Sequence, residues 1–355
     1  MSASPKASDR ADPGDAPLRP PAAAGELHRT TAEKLAIRRR RNGHDFCYVA
    51  ANGVKLRDPV ILRRLKSLAV PPAYEDVRYS GDPRAHLQAV GRDAAGRLQY
   101  RYHPQWEKVR ERRKARRLLA LVQGLPRVRR EVTRRLSARE PSRDFALAAI
   151  IELVSLSAIR PGSESYARAH GTRGAATLLK SNVSVKGEVI TLTFRAKGGQ
   201  RLRREVRSSR LARAIAILRK LPGRRLFQYR DDTGAVRGVR RREVNEFLHA
   251  IAGVRISLKD FRTLMASLFV LQMLAGVAPA KSERRRRRQI IQAVRAAAAE
   301  LANTPAVCRK SYVHDTVFAA FENGALFRLS VEIKSCRSAA RRERLLARIV
   351  KTAVN

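Results

Sequence analysis

The sequence has few of the residues from which metal centres and disulfide frameworks are built. It contains three cysteines, Cys47, Cys308 and Cys336, and seven histidines in 355 residues. An odd number of dispersed cysteines without a CxxC pair is not typical of a disulfide framework, and no HExxH or His/Cys cluster indicates a zinc site. The cysteine usage favours a reducing cytosol, and we expect no metal.

Long apolar runs and nucleotide-binding loops are also missing. No run of about 18 apolar residues predicts a membrane span, and the N-terminal residues lack the apolar region of a signal peptide. The absence of a GxxxxGK[ST] loop argues against an ATP-driven motor. We therefore expect a soluble, cytoplasmic and nucleoid-associated protein without a membrane partner. Its alanine- and arginine-rich usage is typical of a GC-rich bacterium.

Acidic residues are scarce relative to basic ones. The chain has 75 lysines and arginines against 31 aspartates and glutamates, which gives a formal net charge of +44. An excess this large predicts a polyanionic partner, and nucleic acid is the commonest one. The 44% hydrophobic content is still sufficient for a large core. The composition indicates a folded nucleic-acid-binding protein, and the length predicts two domains.

The composition changes along the chain. Residues 1–29 are rich in Pro, Ala, Gly, Asp and Ser, which predicts a disordered tail. Residues 30–105 alternate short segments with turn formers, which predicts a small, antiparallel β-rich domain. The basic charge of the chain favours a DNA-binding role for this domain. Its last strand carries Gln99, Tyr100 and Tyr102, with Tyr100 expected on the face opposite to the other two. Such an edge suits contact with bases and backbone, although aromatic residues in strands are often ordinary sheet packing.

The second half of the chain predicts mainly helices. Residues 106–140 predict a basic helical linker, residues 141–325 a mainly helical domain, and residues 326–355 one basic C-terminal helix. Within the helical domain, residues 144–159 predict a helix with Ser142 as N-cap, and Pro161 ends it so that Arg160 lies at a fixed corner. A β-ribbon over residues 183–206 places Lys197 at a hairpin tip.

Tyr312 lies in a window that is unusual for a tyrosine, among cations and just after a proline. A phenol has a pKa of about 10, so it attacks poorly at neutral pH unless cations stabilise the developing charge. Asn303 lies nine positions upstream, across a turn set by Pro305. This window alone also fits a half-buried tyrosine with solvated basic neighbours.

Candidate catalytic residues follow one another along the chain in the order Arg160, Lys197, Lys259-x-x-Arg262, Asn303 and Tyr312. In this order the sequence resembles type IB DNA topoisomerases of the bacterial and poxvirus kind. The resemblance covers roughly residues 34–321. Its motifs are Leu87-Gln88-Ala89-Val90-Gly91-Arg92-Asp93, Gln99-Tyr100-Arg101-Tyr102-His103-Pro104, Lys259-Asp260-Phe261-Arg262-Thr263 and Asn303-Thr304-Pro305-Ala306-Val307-Cys308-Arg309-Lys310-Ser311-Tyr312.

The resemblance implies an α+β fold that works as a monomer and closes as a clamp around double-stranded DNA. The β-rich N-terminal domain is joined to a mainly helical catalytic domain that contains a β-hairpin. The resemblance also assigns DNA contacts to Gln99, Tyr100, Tyr102, Tyr166, Lys259 and Lys310.

The same resemblance implies a chemistry that requires neither ATP nor metal. Tyr312 attacks a backbone phosphorus and retains the strand as a 3′-phosphotyrosyl ester. Arg160 and Arg262 bind the non-bridging oxygens, together with Asn303. Lys197 is the general acid that protonates the departing 5′ oxygen.

Three positions depart from the family pattern, and two alternatives stay open. Pro161 and Leu264 replace an aliphatic residue and a tryptophan, and Asn303 stands where many relatives have histidine, so it can donate but cannot titrate. A tyrosine recombinase shares the catalytic order, but it usually has histidine at Lys259 and a helical N-terminal domain. A DNA-packaging protein explains the charge, but it gives no reason for Asn303 and Tyr312 to have this spacing.

Overall fold

The computed structural model describes residues 27–336 and 338–352, so most of the tail predicted for residues 1–29 lies outside the described residues. The chain divides into two compact units, Met1–Arg110 and Glu111–Asn355. A β-sheet dominates the first unit and helices dominate the second, which confirms the predicted α+β class.

Within the described ranges, no helix is both long enough and apolar enough to cross a membrane.

A five-stranded antiparallel sheet forms the first unit. Its strands are β1 (Ile37–Asn42), β2 (Asp45–Val49), β3 (Glu75–Tyr79), β4 (Leu87–Arg92) and β5 (Leu98–Tyr102), in the order β2-β1-β3-β4-β5. The helix α1 (Pro59–Ser67) begins at Asp58, whose side chain accepts from the backbone N–H groups of the first turn. Its Leu65 is buried with Tyr48 and Tyr79 in the core of this unit.

Strand β1 is an element that the sequence reading missed, because four arginines occupy its centre. The sheet makes room for them by alternation, so that Ile37 is buried and Arg39 is half-buried. The Arg39 guanidinium donates to the carbonyl oxygens of Val70 and Tyr74, at 3.0 and 2.7 Å, and lies 4.2 Å from the centroid of the Phe46 ring. An inward arginine with these partners replaces the apolar residue that a strand pattern normally shows.

One long helix, α2 (Trp106–Leu136), begins in the last residues of the first unit and continues into the second. Its 31 residues correspond to a length of roughly 46 Å. From Ala115 to Leu136 it contributes a buried apolar face to the main core, and Leu118 and Leu121 have no exposed surface. Most of the arginines of this basic segment therefore lie on the other faces.

The second unit is built around α3 (Arg143–Ser157). Every residue from Phe145 to Val154 is buried, as expected for a helix that is apolar on all sides. Ser142 accepts from the backbone N–H of Phe145 at 3.3 Å, which confirms the predicted N-cap. The helices between α3 and Gly324 are α4 (Glu164–His170), α5 (Ser209–Arg219), α6 (Arg241–Ala252), α7 (Leu258–Ala275), α8 (Glu283–Glu300), α9 (Pro305–Tyr312) and α10 (Asp315–Glu322).

Two small antiparallel sheets complete the second unit. The predicted ribbon is a three-stranded sheet of β6 (Val183–Lys186), β7 (Val189–Arg195) and β8 (Arg201–Arg207). Its register pairs Arg195 with Arg201 and leaves residues 196–200 as the turn. A second hairpin, β9 (Gln228–Arg230) and β10 (Val236–Gly238), was not predicted because each strand has only three residues.

The single C-terminal helix predicted for residues 326–355 is wrong. Three helices follow Gly324, namely α11 (Ala325–Arg328), α12 (Ser330–Ser335) and α13 (Ala339–Lys351). The backbone at Cys336 is extended, which ends α12 before α13 begins. The last helix packs against α7 and α10, and its buried Glu343 makes a two-pronged ion pair with Arg129 of α2, at 2.6 and 3.0 Å.

Candidate active site

Arg160 follows a helix end that lies two residues earlier than predicted. Helix α3 ends at Ser157 because Ala158 adopts a left-handed conformation (φ 50°), not because of Pro161. A non-glycine residue in this conformation costs about 1–2 kcal/mol, so the surrounding structure must hold it. The early end leaves three residues of irregular backbone between the helix and Pro161, and Arg160 lies on this segment.

Two glycines fix the corner that carries Arg160. Gly162 has a φ of 89°, and a Cβ atom at Gly174 would lie 2.5 Å from both the Arg160 carbonyl oxygen and the Gly162 nitrogen. The backbone N–H groups of Ala175 and Ala176 donate to the carbonyls of Arg160 and Pro161, both at 2.8 Å. The main chain of Arg160 is therefore held by hydrogen bonds that only a close backbone approach permits.

We expect Gly174→Ala to destabilise the protein. The φ of −158° at Gly174 suits any residue, so the effect is the steric overlap with the backbone of Arg160. Overpacking of this kind lowers the free energy of unfolding by about 1–3 kcal/mol or more. Urea unfolding measures this loss.

Gly276→Ala is the matched control, since the nearest atom to its Cβ would lie at 3.5 Å. Equal behaviour of the two variants would show that the close approach at Gly174 does not hold Arg160.

Arg262 is the most deeply buried charged residue that was predicted for the site. It lies one turn into α7, whose N-terminus is fixed by Asp260, since this carboxylate accepts from the backbone N–H and hydroxyl of Ser257 at 2.8 and 2.9 Å. Only 2% of Arg262 is exposed. Its guanidinium donates to the carbonyls of Ala158 and, at 2.9 Å, of Leu301. The same arginine thus joins the ends of α3 and α8.

Asn303 connects the second arginine to the tyrosine segment. The guanidinium of Arg160 donates to the Asn303 side-chain oxygen and, at 3.1 Å, to the carbonyl of Ala302, which is also left-handed (φ 47°). The Asn303 Nδ2 atom is shielded from solvent and has no hydrogen-bond partner in the described chain. A buried donor without an acceptor is costly, and it indicates a place where a ligand oxygen binds.

Tyr312 is the last residue of α9, which begins at Pro305, so the residues predicted as a turn at this proline form the first turn of a helix. Thr304 caps this helix by accepting from the backbone N–H of Val307 at 3.3 Å. Tyr312 is 9% exposed, and its ring centroid lies 5.0 Å from the Arg262 Cζ atom. The cation beside the phenol is therefore Arg262, whereas Arg309 lies over the ring of Phe318 at 4.6 Å.

Lys197 lies in the turn between β7 and β8, where the sequence predicted a hairpin tip. Gly198 and Gly199 follow it with φ values of 88° and 80°. Its ammonium lies 4.8 Å from the centroid of the Tyr166 ring, and within the described residues no hydrogen bond joins it to the other predicted catalytic side chains. The structure thus brings together Arg160, Arg262, Asn303 and Tyr312, and it pairs Lys197 with Tyr166.

The positive charge of this site is not cancelled by carboxylates. Across the described ranges, neither Arg160 nor Arg262 forms an ion pair, and their guanidiniums donate to neutral carbonyl and amide oxygens. Burial lowers the pKa of the Arg262 guanidinium below its ordinary value. The ordinary pKa of a guanidinium is so high that the group stays protonated. Burial also raises the pKa of the Cys308 thiol to about 11, so this neighbour of Arg262 stays neutral. The site can therefore bind an anion.

The residues predicted to contact DNA fall in both units. Lys259 and Lys310 are exposed on α7 and α9, and Tyr166 lies on α4. Tyr100 and Tyr102 lie on the same face of β5, with ring centroids 6.2 Å apart and an interplanar angle of 19°. The prediction that Tyr100 faces away from Tyr102 is wrong, because residues two apart in a strand share a face.

Gln99 is already engaged in the first unit. Its side-chain amide donates to Asp93 at 2.9 Å, and the hydrogen bond from Arg97 is the main cause that lowers the pKa of that carboxyl to about 2. Gln99 therefore also braces the turn between β4 and β5.

Sequence reasoning missed the side chains that hold this site from behind. Ser267 donates to the carbonyl oxygen of Tyr312 at 3.1 Å, and Lys114 donates to the carbonyls of Lys310 and Val313 at 3.1 and 2.9 Å. Lys114 is almost 200 positions from its acceptors, and it lies in a run of similar cations. No local pattern in the sequence could distinguish it.

Comparison with known proteins agrees with this geometry. Residues 103–339 match the family model described as eukaryotic DNA topoisomerase I, catalytic core, and residues 45–93 match the model of the bacterial DNA topoisomerase IB N-terminal domain. The DNA topoisomerase 1B of Acanthamoeba polyphaga mimivirus is 30% identical over 298 residues, which cover 82% of this chain and 89% of that relative. The chain belongs to the type IB DNA topoisomerase family, and it is an isomerase.

Proposed function

We propose that this enzyme relaxes positively and negatively supercoiled DNA by cutting one strand, allowing rotation, and resealing the same strand. The proposal rests on family membership and on one observation in particular. Within the part of the chain that the structure describes, the Asn303 amide nitrogen and the Nε of buried Arg262 are donors without a hydrogen-bond partner. Both belong to the cluster that contains Tyr312, so they offer a phosphate two unused donors near a nucleophile.

The reaction begins with attack of the Tyr312 phenol oxygen on a backbone phosphorus. The new O–P bond forms as the bond to the 5′ oxygen breaks, and the product is a 3′-phosphotyrosyl ester. The phenol proton passes to solvent, and Lys197 gives a proton to the departing 5′ oxygen. Resealing is the reverse reaction, in which the 5′ hydroxyl displaces Tyr312.

Arg160, Arg262 and Asn303 stabilise the negative charge that develops on the non-bridging oxygens. Guanidiniums suit this role because their donors are planar and match pairs of phosphate oxygens. Asn303 contributes a neutral donor that cannot titrate, so its role is electrostatic. In this scheme Lys197 moves from the ring of Tyr166 to the leaving oxygen once DNA is bound.

We propose that the reaction needs no ATP because of its energy balance, and no metal because Arg160, Arg262 and Lys197 supply the cationic groups. The phosphotyrosyl ester retains the energy of the broken bond, so resealing requires no external supply. Torsion in the DNA drives the rotation between the two steps. The basic side chains contact the backbone, and Tyr100 and Tyr102 add an aromatic surface that suits sugar or base contacts.

Relaxation of positively and negatively supercoiled plasmids tests this function. We expect the protein to relax both in EDTA without ATP, and to leave a covalent protein–DNA adduct when the reaction is stopped with detergent. A denaturing gel detects the adduct, and peptide mapping identifies the linked residue. A strict requirement for ATP or a divalent metal would contradict the mechanism. An adduct that forms only on particular sequences, without relaxation, would favour a recombinase.

A further inference from the structure

The nucleophile lies at a weak point of its own helix. Tyr312 is the last residue of α9, which has only eight residues. Isolated helices of this length are marginal in water, and their last turn leaves several carbonyl groups without helical partners. A tyrosine in this position has a fixed geometry only when other elements hold the helix end.

Lys114 of α2 provides the first of these supports. Its ammonium donates to the carbonyl oxygens of Lys310, at 3.1 Å, and Val313, at 2.9 Å, which flank Tyr312. It also pairs with Glu111 at 2.6 Å, and only 12% of its side chain is exposed. A cation at the C-terminus of a helix stabilises both the free carbonyls and the helix dipole.

Two further side chains complete the support from other directions. Ser267 of α7 donates to the Tyr312 carbonyl at 3.1 Å. His314 follows α9 as the N-cap of α10 and is 2% exposed, and its ring joins the chain at this point to α2 and α10, because Nε2 donates to the Glu111 carbonyl at 3.1 Å and Nδ1 accepts from the Thr316 N–H at 3.2 Å. Burial lowers the pKa of His314, which favours the neutral ring that these bonds need.

We propose that Lys114 is a positioning residue for strand cleavage, which holds the end of α9 so that the Tyr312 phenol stays beside Arg262. This inference rests on the proposed function. Lys114 is not a phosphate contact in this role, because its donors are directed to two carbonyls and a carboxylate within the protein. Its effect belongs to the chemical step and not to DNA affinity.

Single-turnover cleavage of a short duplex by Lys114→Met tests this role. We expect the cleavage rate to fall by about 10- to 100-fold, since displacements of about 1 Å at a reacting atom have effects of this size. The dissociation constant for DNA and its salt dependence should stay within about twofold of the wild type, because no phosphate contact is lost. Lys114→Arg keeps the charge and the donors, and it should recover most of the rate.

Two additional variants separate positioning from folding and from charge. Lys114→Met leaves Glu111 unpaired, so the Glu111→Gln/Lys114→Met double variant should regain thermal stability without regaining the rate. Arg116→Met removes an exposed cation two residues further along α2, and it should cleave DNA at the wild-type rate.

A substrate with sulfur in place of the 5′ bridging oxygen provides the remaining readout. Thiolate leaves without a proton, so this substrate should restore cleavage to Lys197→Ala but not to Lys114→Met. Restoration of Lys114→Met would show a role in proton transfer and overturn the proposal. A normal rate, or weaker binding with a salt dependence reduced by about one phosphate contact, would also overturn it. If the wild type forms no adduct, the proposed function itself fails.

Discussion

Tyr312→Phe is expected to form no covalent adduct and to relax no plasmid, with a loss of at least about 10⁴-fold against the wild type. The substitution removes only the attacking oxygen. The ring remains 9% exposed beside Arg262, and the contacts at the end of α9 involve main-chain carbonyls that the variant retains. The fold and DNA affinity should therefore be unchanged, which circular dichroism and a binding titration can show.

Tyr229→Phe is the matched control for this substitution. It removes the same oxygen from a half-buried tyrosine of the second unit, on β9. This variant should relax DNA like the wild type. A Tyr312→Phe protein that still forms an adduct would mean that another residue is the nucleophile, and the proposed chemistry would need a different centre.

Arg262→Ala is expected to have the second largest effect, with a decrease in cleavage rate of about 10³- to 10⁵-fold. An arginine that stabilises charge on a transferring phosphoryl group contributes at this level in other enzymes. Arg262 also has a structural role, because removing it leaves the carbonyls of Ala158 and Leu301 without a partner. We therefore expect a loss of about 2–4 kcal/mol in the free energy of unfolding.

Comparison with Arg160→Ala separates these two roles. Arg160 is half-buried and makes its bonds at the surface of the same cluster, so its removal should slow cleavage while costing less stability. Cleavage rates by rapid quench and unfolding curves in urea measure the two quantities. An Arg262→Ala enzyme that is unstable but cleaves at the Arg160→Ala rate would show that Arg262 is mainly structural.

The candidate site could be predicted from sequence where its geometry is local. Pro305, as the first residue of α9, and the cap at Thr304 fix the segment between Asn303 and Tyr312, and hairpin signals place Lys197 in a turn. Local rules also explain the boundary of α3 at Ser142. These are contacts between neighbours in the chain, so residue types and spacing carry the information.

The parts that sequence reasoning could not predict depend on distant contacts. A left-handed alanine at position 158 is tolerated only because the structure around it closes, and Ala carries no signal for that conformation. The sequence of strand β1 resembles a charged loop, because the carbonyls that accept from Arg39 lie more than 30 positions away in the chain. In the sequence, Lys114 does not differ from the other cations of α2. Only the folded chain brings the Val313 carbonyl within hydrogen-bond distance of its ammonium.

Main-chain carbonyl oxygens accept hydrogen bonds from Arg160 and Arg262, and this affects which substitutions the site tolerates. The carbonyls of Ala158, Leu301 and Ala302 belong to the main chain, so substitutions at these positions do not remove them. Selection at residues 158 and 302 then acts on the backbone path, which glycine or asparagine also supports at positive φ. A site of this kind can preserve its charge arrangement while much of the surrounding sequence changes.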